Sequence, residues 1–290
     1  MTDDPQRLGR HGPSRAWLRG PRGFVCLLGL VLSLFALSVP GTSGAYSARV
    51  VNTANTVTTA AAFTCAGLAT AANAYYLYPM DEVLPIAGAT MLDTSGNSRN
   101  GNYRGLSLHS GSSGCSSDPD GSTTFGLGSY ASTPNQINSP QVFTIEIWFR
   151  TTSITGAYIM GFGNLQTGLP TVSDRHVYLT NAGKLVFGIN PGTVQTITSA
   201  SSYNDGAWHF VAATLGPSGM ALYADGVSVG TNAATTAATN NGYWRVAYGN
   251  LTGYPSAPTS NFFAGQLDYF TYYQSALPAS VIASHYAVGD

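Results

Sequence analysis

The chain has 290 residues, 44% of them hydrophobic and only 9% charged, with 34 glycines and 15 prolines. That is enough apolar material for a sizeable core, but the charge is far below the roughly 25% of ordinary soluble domains, so the polar surface must come from Ser, Thr, Asn, Gln and backbone. A formal net charge of −1 without a basic patch excludes nucleic acid as a partner, and frequent Gly and Pro favour short strands and turns over long helices.

Residues 1–45 read as a secretory signal peptide. Arg7, Arg10, Arg15, Arg19 and Arg22 precede a short apolar run at 24–37, and Ser43-Gly44-Ala45 offers small residues for cleavage near Ala45. The alternative is an uncleaved anchor, for which the run is short. Without this leader seven basic and eleven acidic residues remain, a net charge of about −4, and no stable membrane span is expected. Of the three cysteines, Cys65 and Cys115 then remain. In an exported chain two cysteines make one disulfide; two separate thiols are the alternative.

Residues 46–74 are rich in Thr, Ala and Asn and read as an extension or linker, with strands around 47–51 and 57–64. The main domain is expected at 75–288. It opens with a strand at 75–82, followed by two loops rich in Ser, Gly, Asn and Asp at 91–103 and 110–122. The clearest strand is 141–151. There Phe143, Ile145, Ile147 and Phe149 share one face, and Thr144, Glu146, Trp148 and Arg150 the other. Residues 175–180 and 184–188 form a hairpin about Asn181-Ala182-Gly183. Residues 204–230 hold three short strands separated by Gly216-Pro217-Ser218-Gly219 and Asp225-Gly226. Strands at 243–248 and 263–273 follow. The one helix signal is terminal: Pro278 at an early position, then Val281, Ile282 and His285. This pattern predicts an all-β, two-sheet antiparallel jelly-roll sandwich with one short C-terminal helix.

Four blocks in this order resemble the laminin-G-like jelly roll of the concanavalin A-like lectin/glucanase superfamily. They are Asp93-Thr94-Ser95-Gly96-Asn97-Ser98-Arg99-Asn100-Gly101, then Phe143-Thr144-Ile145-Glu146-Ile147-Trp148-Phe149. The third is Asp205-Gly206-Ala207-Trp208-His209-Phe210-Val211-Ala212 with Leu222-Tyr223-Ala224-Asp225-Gly226. The fourth is Phe263-Ala264-Gly265-Gln266-Leu267-Asp268 with the terminal helix. The resemblance implies two curved sheets and a role in binding or adhesion, in some members to glycans and in some to proteins, often with a structural calcium.

Calcium needs six to eight oxygens. Asp93, Asn97 and Asn100 offer side-chain oxygens in one loop, and the resemblance implies Asp268 as a further ligand; an Asx-rich turn without metal is the alternative. A glycan could stack on Tyr243, Trp244 and Tyr248, with Tyr254, Tyr158 and Tyr178 nearby, although tyrosines also fill strands. Glycoside hydrolysis needs two facing carboxylates. The glucanases of the superfamily carry E-x-D-x-E, whereas this strand has Glu146 alone, read as a rim residue or a partner of Arg150. No G-x-S-x-G elbow occurs. His209 is expected to be a hydrogen-bonded structural residue, His285 to pack or lie at the surface, and Trp208 and Tyr223 to hold the sheets together. The expectation is a secreted or cell-surface, non-catalytic binding module for an extracellular glycan or a cell-surface protein. A self-associating surface protein is the runner-up.

Overall fold

The computed structural model of the protein describes residues 63–290. The expected leader and nearly all of the expected strands in 46–64 lie outside them. Sixteen strands form two antiparallel sheets, as the patterning predicts. They are β1 (Tyr76–Tyr78), β2 (Thr90–Met91), β3 (Gly101–Arg104), β4 (Leu108–Ser110), β5 (Ser122–Phe125), β6 (Tyr130–Ser132), β7 (Phe143–Arg150), β8 (Ala157–Gly163), β9 (Ser173–Leu179), β10 (Lys184–Ile189), β11 (Gln195–Ser202), β12 (Trp208–Gly216), β13 (Gly219–Ala224), β14 (Val227–Asn232), β15 (Tyr243–Val246) and β16 (Gly265–Tyr273). The first sheet runs β14-β13-β12-β7-β16-β5-β4, with β1 also on β16; the second runs β11-β10-β9-β8-β15-β6-β3-β2.

Strand alternation places the core between the sheets. Phe143, Ile145, Ile147 and Phe149 of β7 meet Val177, Leu179, Phe187 and Trp244 of the second sheet. Trp244 lies at the centre of this layer, against Phe143, Phe162 and Tyr272 at ring distances of 5.0–5.2 Å. Burial of these side chains, at about 1.5–3 kcal/mol each, is the principal driving force.

The outer face of the first sheet is covered, which the sequence pattern did not predict. Residues Cys65–Ala71 form a helix, α1, in the stretch read as a linker. The Thr64 hydroxyl caps it by accepting from the Gly67 N–H at 3.0 Å. Asn73, at a left-handed φ of 64°, ends it. The terminal helix α2 (Ala279–Gly289) is longer than the two turns expected and buries Ile282, His285 and Gly289. Between these helices and the sheet lies a second apolar layer containing Trp148, Phe210, Tyr223, Tyr273 and Ile282, with Trp208 at its margin. Trp208 and Tyr223 therefore do not join the two sheets; they seat helices on one of them. The disulfide Cys65–Cys115 ties α1 to the 110–122 loop.

The three-strand stretch at 204–230 is as expected, and His209 has a definite role in it. Its Nδ1 meets Asp225 at 2.9 Å and its Nε2 meets Asp205 at 3.1 Å, joining the two Asp-Gly turns. Burial lowers its pKa, but the two carboxylates outweigh that and raise it overall.

Candidate functional site: a cleft at the loop end

Three connections converge at one end of the sandwich: the segment before β7, the β10–β11 turn and the long link from β14 to β15. They enclose a cleft of about 770 Å³ lined by Asn138, Ser139, Gln141, Asn190, Thr236 and Thr239, together with Pro191, Gly192 and two alanines. No wall residue is charged, and six of the ten carry an amide or a hydroxyl. The volume is that of an ordinary small-ligand site.

A buried ion pair holds these loops. Asp174 and Arg175, both 0% exposed, sit side by side in β9. Asp174 Oδ1 accepts from the N–H groups of Arg175 and Asn190, each at 2.7 Å, and from the Tyr254 hydroxyl at 2.8 Å. Its Oδ2 accepts from the Ala238 N–H at 2.6 Å. Arg175 donates to the carbonyls of Pro140 and Ala238, each at 2.8 Å, and to Asn240 Oδ1 at 3.0 Å. Every cleft loop is thus tied to one carboxylate or one guanidinium. Burial pulls the Arg175 pKa down, and Asp174 partly opposes this. Arg175 has a φ of 59°, in the left-handed region that residues other than glycine rarely visit. The strained backbone persists because four hydrogen bonds from this residue over-determine it, a pattern concentrated at functional sites. Gln141 completes the frame: its Oε1 accepts from the Ala237 N–H at 2.8 Å and its Nε2 donates to Ser139 at 3.0 Å.

The residues singled out in sequence fall elsewhere. Trp244 is 0% exposed in the inter-sheet core, so no ring face is left for a sugar. The error came from reading a cluster of aromatics in sequence as a cluster on a surface; alternation sends Trp244 inward. Tyr243 and Tyr248 are half-buried. Tyr158, Tyr178 and Tyr254 pack on one another beneath the 251–255 loop and are buried too.

The proposed calcium ligands divide into two hydrogen-bonded sets that share no partner. Asp93 Oδ1 accepts from the Leu77 and Ser95 N–H groups at 3.0 Å, and its Oδ2 from Arg99 at 2.9 Å. Asn100 Oδ1 is occupied by the Asp93 N–H, and the Asn97 amide donates to the Ala74 and Tyr75 carbonyls. Asp268 Oδ2 instead accepts from Ser113, Gly114 and Cys115 at 2.7–3.2 Å. Burial, more than offsetting those bonds, lifts the Asp268 pKa to about 8. The other oxygen, Asp268 Oδ1, is buried without a hydrogen-bond partner among the described residues. Among the described residues, Cys65, Cys115 and Asp118 lie close enough to share a metal, but the two sulfurs are bonded to each other.

Glu146 is neither at a rim nor with Arg150. It is 3% exposed beneath the helices, where Oε2 meets His285 Nδ1 at 2.9 Å and accepts from the Tyr273 hydroxyl at 3.1 Å. β7 lies between β12 and β16, and α1 and α2 roof its outer face, so Glu146 has no rim to occupy. Arg150, at the strand end, donates to the Gly206 carbonyl at 2.6 Å.

A family model described as the concanavalin A-like lectin/glucanases superfamily, of laminin G type, matches residues 125–283, just over half of the chain. The chain belongs to this superfamily. The match spans β7, β9, β12 and β16, and so most of the cleft's frame. Among solved structures, domain 4 of AbnA, a GH43 extracellular arabinanase from Geobacillus stearothermophilus in complex with arabinotriose, is similar at 14% identity and a TM-score of 0.50, over 75% of this chain and 98% of that one. The binding domain of Paraclostridial Mosquitocidal Protein 1 is similar at 15% identity and a TM-score of 0.53. The Botulinum neurotoxin type G receptor binding domain is similar at 12% and 0.50. The superfamily member described here covers 75% and 74% of itself in these two alignments and about half of each toxin domain, 52% and 51%. At these identities the likeness is one of fold. A search of curated proteins found no match.

Asp174 and Arg175 were missed in sequence. One signal was available: an adjacent Asp-Arg pair at the head of a strand that runs on into Val177-Tyr178-Leu179, in a chain with only 9% charged residues.

Proposed function

We propose that this protein is a secreted, non-catalytic module that binds a neutral oligosaccharide in the loop-end cleft. The observation that carries the reading is the lining: a cleft of about 770 Å³ walled by uncharged amides, hydroxyls and small side chains, held open by a buried ion pair. Sugar hydroxyls both donate and accept, and Asn, Gln, Ser and Thr offer both as well. Loops fixed before binding reduce the ordering cost of a weak polar ligand. The AbnA domain, solved with arabinotriose, supports the substrate class by fold. The disulfide supports an oxidising compartment. The burial of Glu146 beneath two helices supports binding over hydrolysis, which needs two carboxylates reaching the scissile bond.

The test is titration calorimetry of the full chain against a panel of neutral oligosaccharides that includes arabinotriose, with Asn190→Ala and Thr239→Ala as variants. Binding should weaken at least tenfold in each variant without a change in the far-ultraviolet spectrum. Silence across the panel would move the reading to a protein partner. Secretion is checked by the mature N-terminus, expected near Tyr46. A calcium ion at the Asp93 loop would meet a carboxylate that already accepts three N–H groups, with Oδ2 the less occupied oxygen. A melting curve with calcium against one with EDTA tests it, and identical curves would remove it.

A further inference from the structure

The outer face of the second sheet carries a cation with no counter-charge. Arg245 of β15 is 1% exposed, and among the described residues no carboxylate lies within ion-pair distance of it. Its guanidinium lies over the Tyr130 ring at 4.7 Å and over the Tyr248 ring at 5.5 Å. Nη1 donates to the Leu165 carbonyl at 2.8 Å. Among the described residues, Nε and Nη2 have no acceptor. These two N–H groups lie along one edge of the guanidinium plane, the edge that grips a carboxylate side-on with two parallel hydrogen bonds. The donors left over are therefore a matched pair.

The neighbours strengthen the point. Ser132 stands opposite Arg245 in register, and its buried hydroxyl also has no partner. Arg104 stands opposite Tyr130 on the next strand, and its Nε is likewise without an acceptor. On the other side Gly161 of β8 stands opposite Arg245, and the Tyr158 hydroxyl and the His176 ring fill the space beside it without bringing a carboxylate. A buried, hydrogen-bond-poor charge is costly unless something completes it.

We propose that Arg245 and Ser132, with Arg104 beside them, form a second ligand site that takes a carboxylate, with an acidic sugar favoured because the flanking tyrosines supply ring faces. Tyr130 is pinned, since its hydroxyl accepts from the Gly168 N–H at 2.8 Å. Tyr248 is half-buried and stacked on Phe262 at 4.0 Å. Its ring covers the guanidinium, so admission of a ligand requires Tyr248 to turn aside. This site is separate from the loop-end cleft, whose lining includes neither arginine nor tyrosine.

The experiment titrates the full chain with trigalacturonate, its trimethyl ester and acetate. Trigalacturonate should bind, the ester at least tenfold more weakly. Acetate binding as tightly as the trimer would assign the fork to a free carboxylate and not to a sugar acid. Arg245→Lys keeps the charge but loses the fork, so it should weaken trigalacturonate at least tenfold and leave any neutral-oligosaccharide binding in the cleft unchanged. Should that variant not fold, the Nε–H resonance of Arg245 in the 15N-labelled native protein gives the same answer, shifting on titration. An acid and ester that bind equally, a folded Arg245→Lys that binds like the native chain, or an unmoved Nε–H would overturn the proposal.

Discussion

Replacing Asp174 with alanine tests the central structural claim about the cleft. The carboxylate accepts four hydrogen bonds of 2.6–2.8 Å, from three backbone N–H groups and the Tyr254 hydroxyl. Its Oδ2 also faces Arg175 Nη1 at 3.5 Å, a Coulombic contact at the outer limit of hydrogen bonding. Truncation leaves the guanidinium buried without its counter-charge, which costs about 3–5 kcal/mol. Each donor stranded away from water adds about 1–3 kcal/mol. Asn190 and Ala238 are half-buried and recover part of that from solvent, so the expected total is about 4–6 kcal/mol, less than the sum because the groups share one network. Against a domain stability of about 5–15 kcal/mol this is large. Asp174→Asn keeps one acceptor oxygen and should cost about half as much. The assay is urea unfolding of both variants beside the native chain, with oligosaccharide affinity measured on whatever remains folded. Affinity should fall with stability, because the residue anchors the 190 and 238 loops. If Asp174→Ala loses less than about 1 kcal/mol and binds normally, the staple is not what holds the cleft.

Other expectations are as direct. Trp244→Ala should lose about 3–5 kcal/mol in urea unfolding, as a core deletion does, and should not yield a stable protein that has merely lost its ligand. Replacing Cys65 and Cys115 together by serine opens a 50-residue separation and should cost about 2–4 kcal/mol; an unchanged thermal midpoint would show that α1 is seated without the bond. Stability should fall as pH rises from about 6 to 9. Burial lowers the pKa of His285 and of His209, but their carboxylate partners outweigh it, so both are raised and their contribution is lost above the ordinary histidine range. Asp268, raised to about 8 by burial, acts in the same direction, losing its contribution as pH climbs from the ordinary carboxylate value through 8. Asp268→Asn mimics the protonated form and should flatten this slope; a variant with the native pH profile would refute that assignment.

The sandwich was legible because its signals are local. Alternation in 143–149 fixed which side chains face the core, and Asp-Gly and Gly-Pro-Ser-Gly punctuation fixed the turns of 204–230. The loop at 93–100 was legible too in its Asx chemistry: Asp93 and Asn100 do bind backbone N–H groups there. Sequence alone therefore determined the strand pattern, the two-sheet architecture and the family resemblance, because each depends on residues a few positions apart. It also supplied the cysteine pair, although not the reason α1 forms. That seven-residue helix is too short to stand alone in water, and it exists through Thr64, the disulfide and the apolar face of the first sheet. Only the tertiary structure decided which residues meet. It brought 138–141, 190–192 and 236–239 to one end, joined them through Asp174 and Arg175, sent Trp244 inward, and left one edge of Arg245 without an acceptor. Binding surfaces are assembled by contacts across tens to hundreds of residues, and no local period records them.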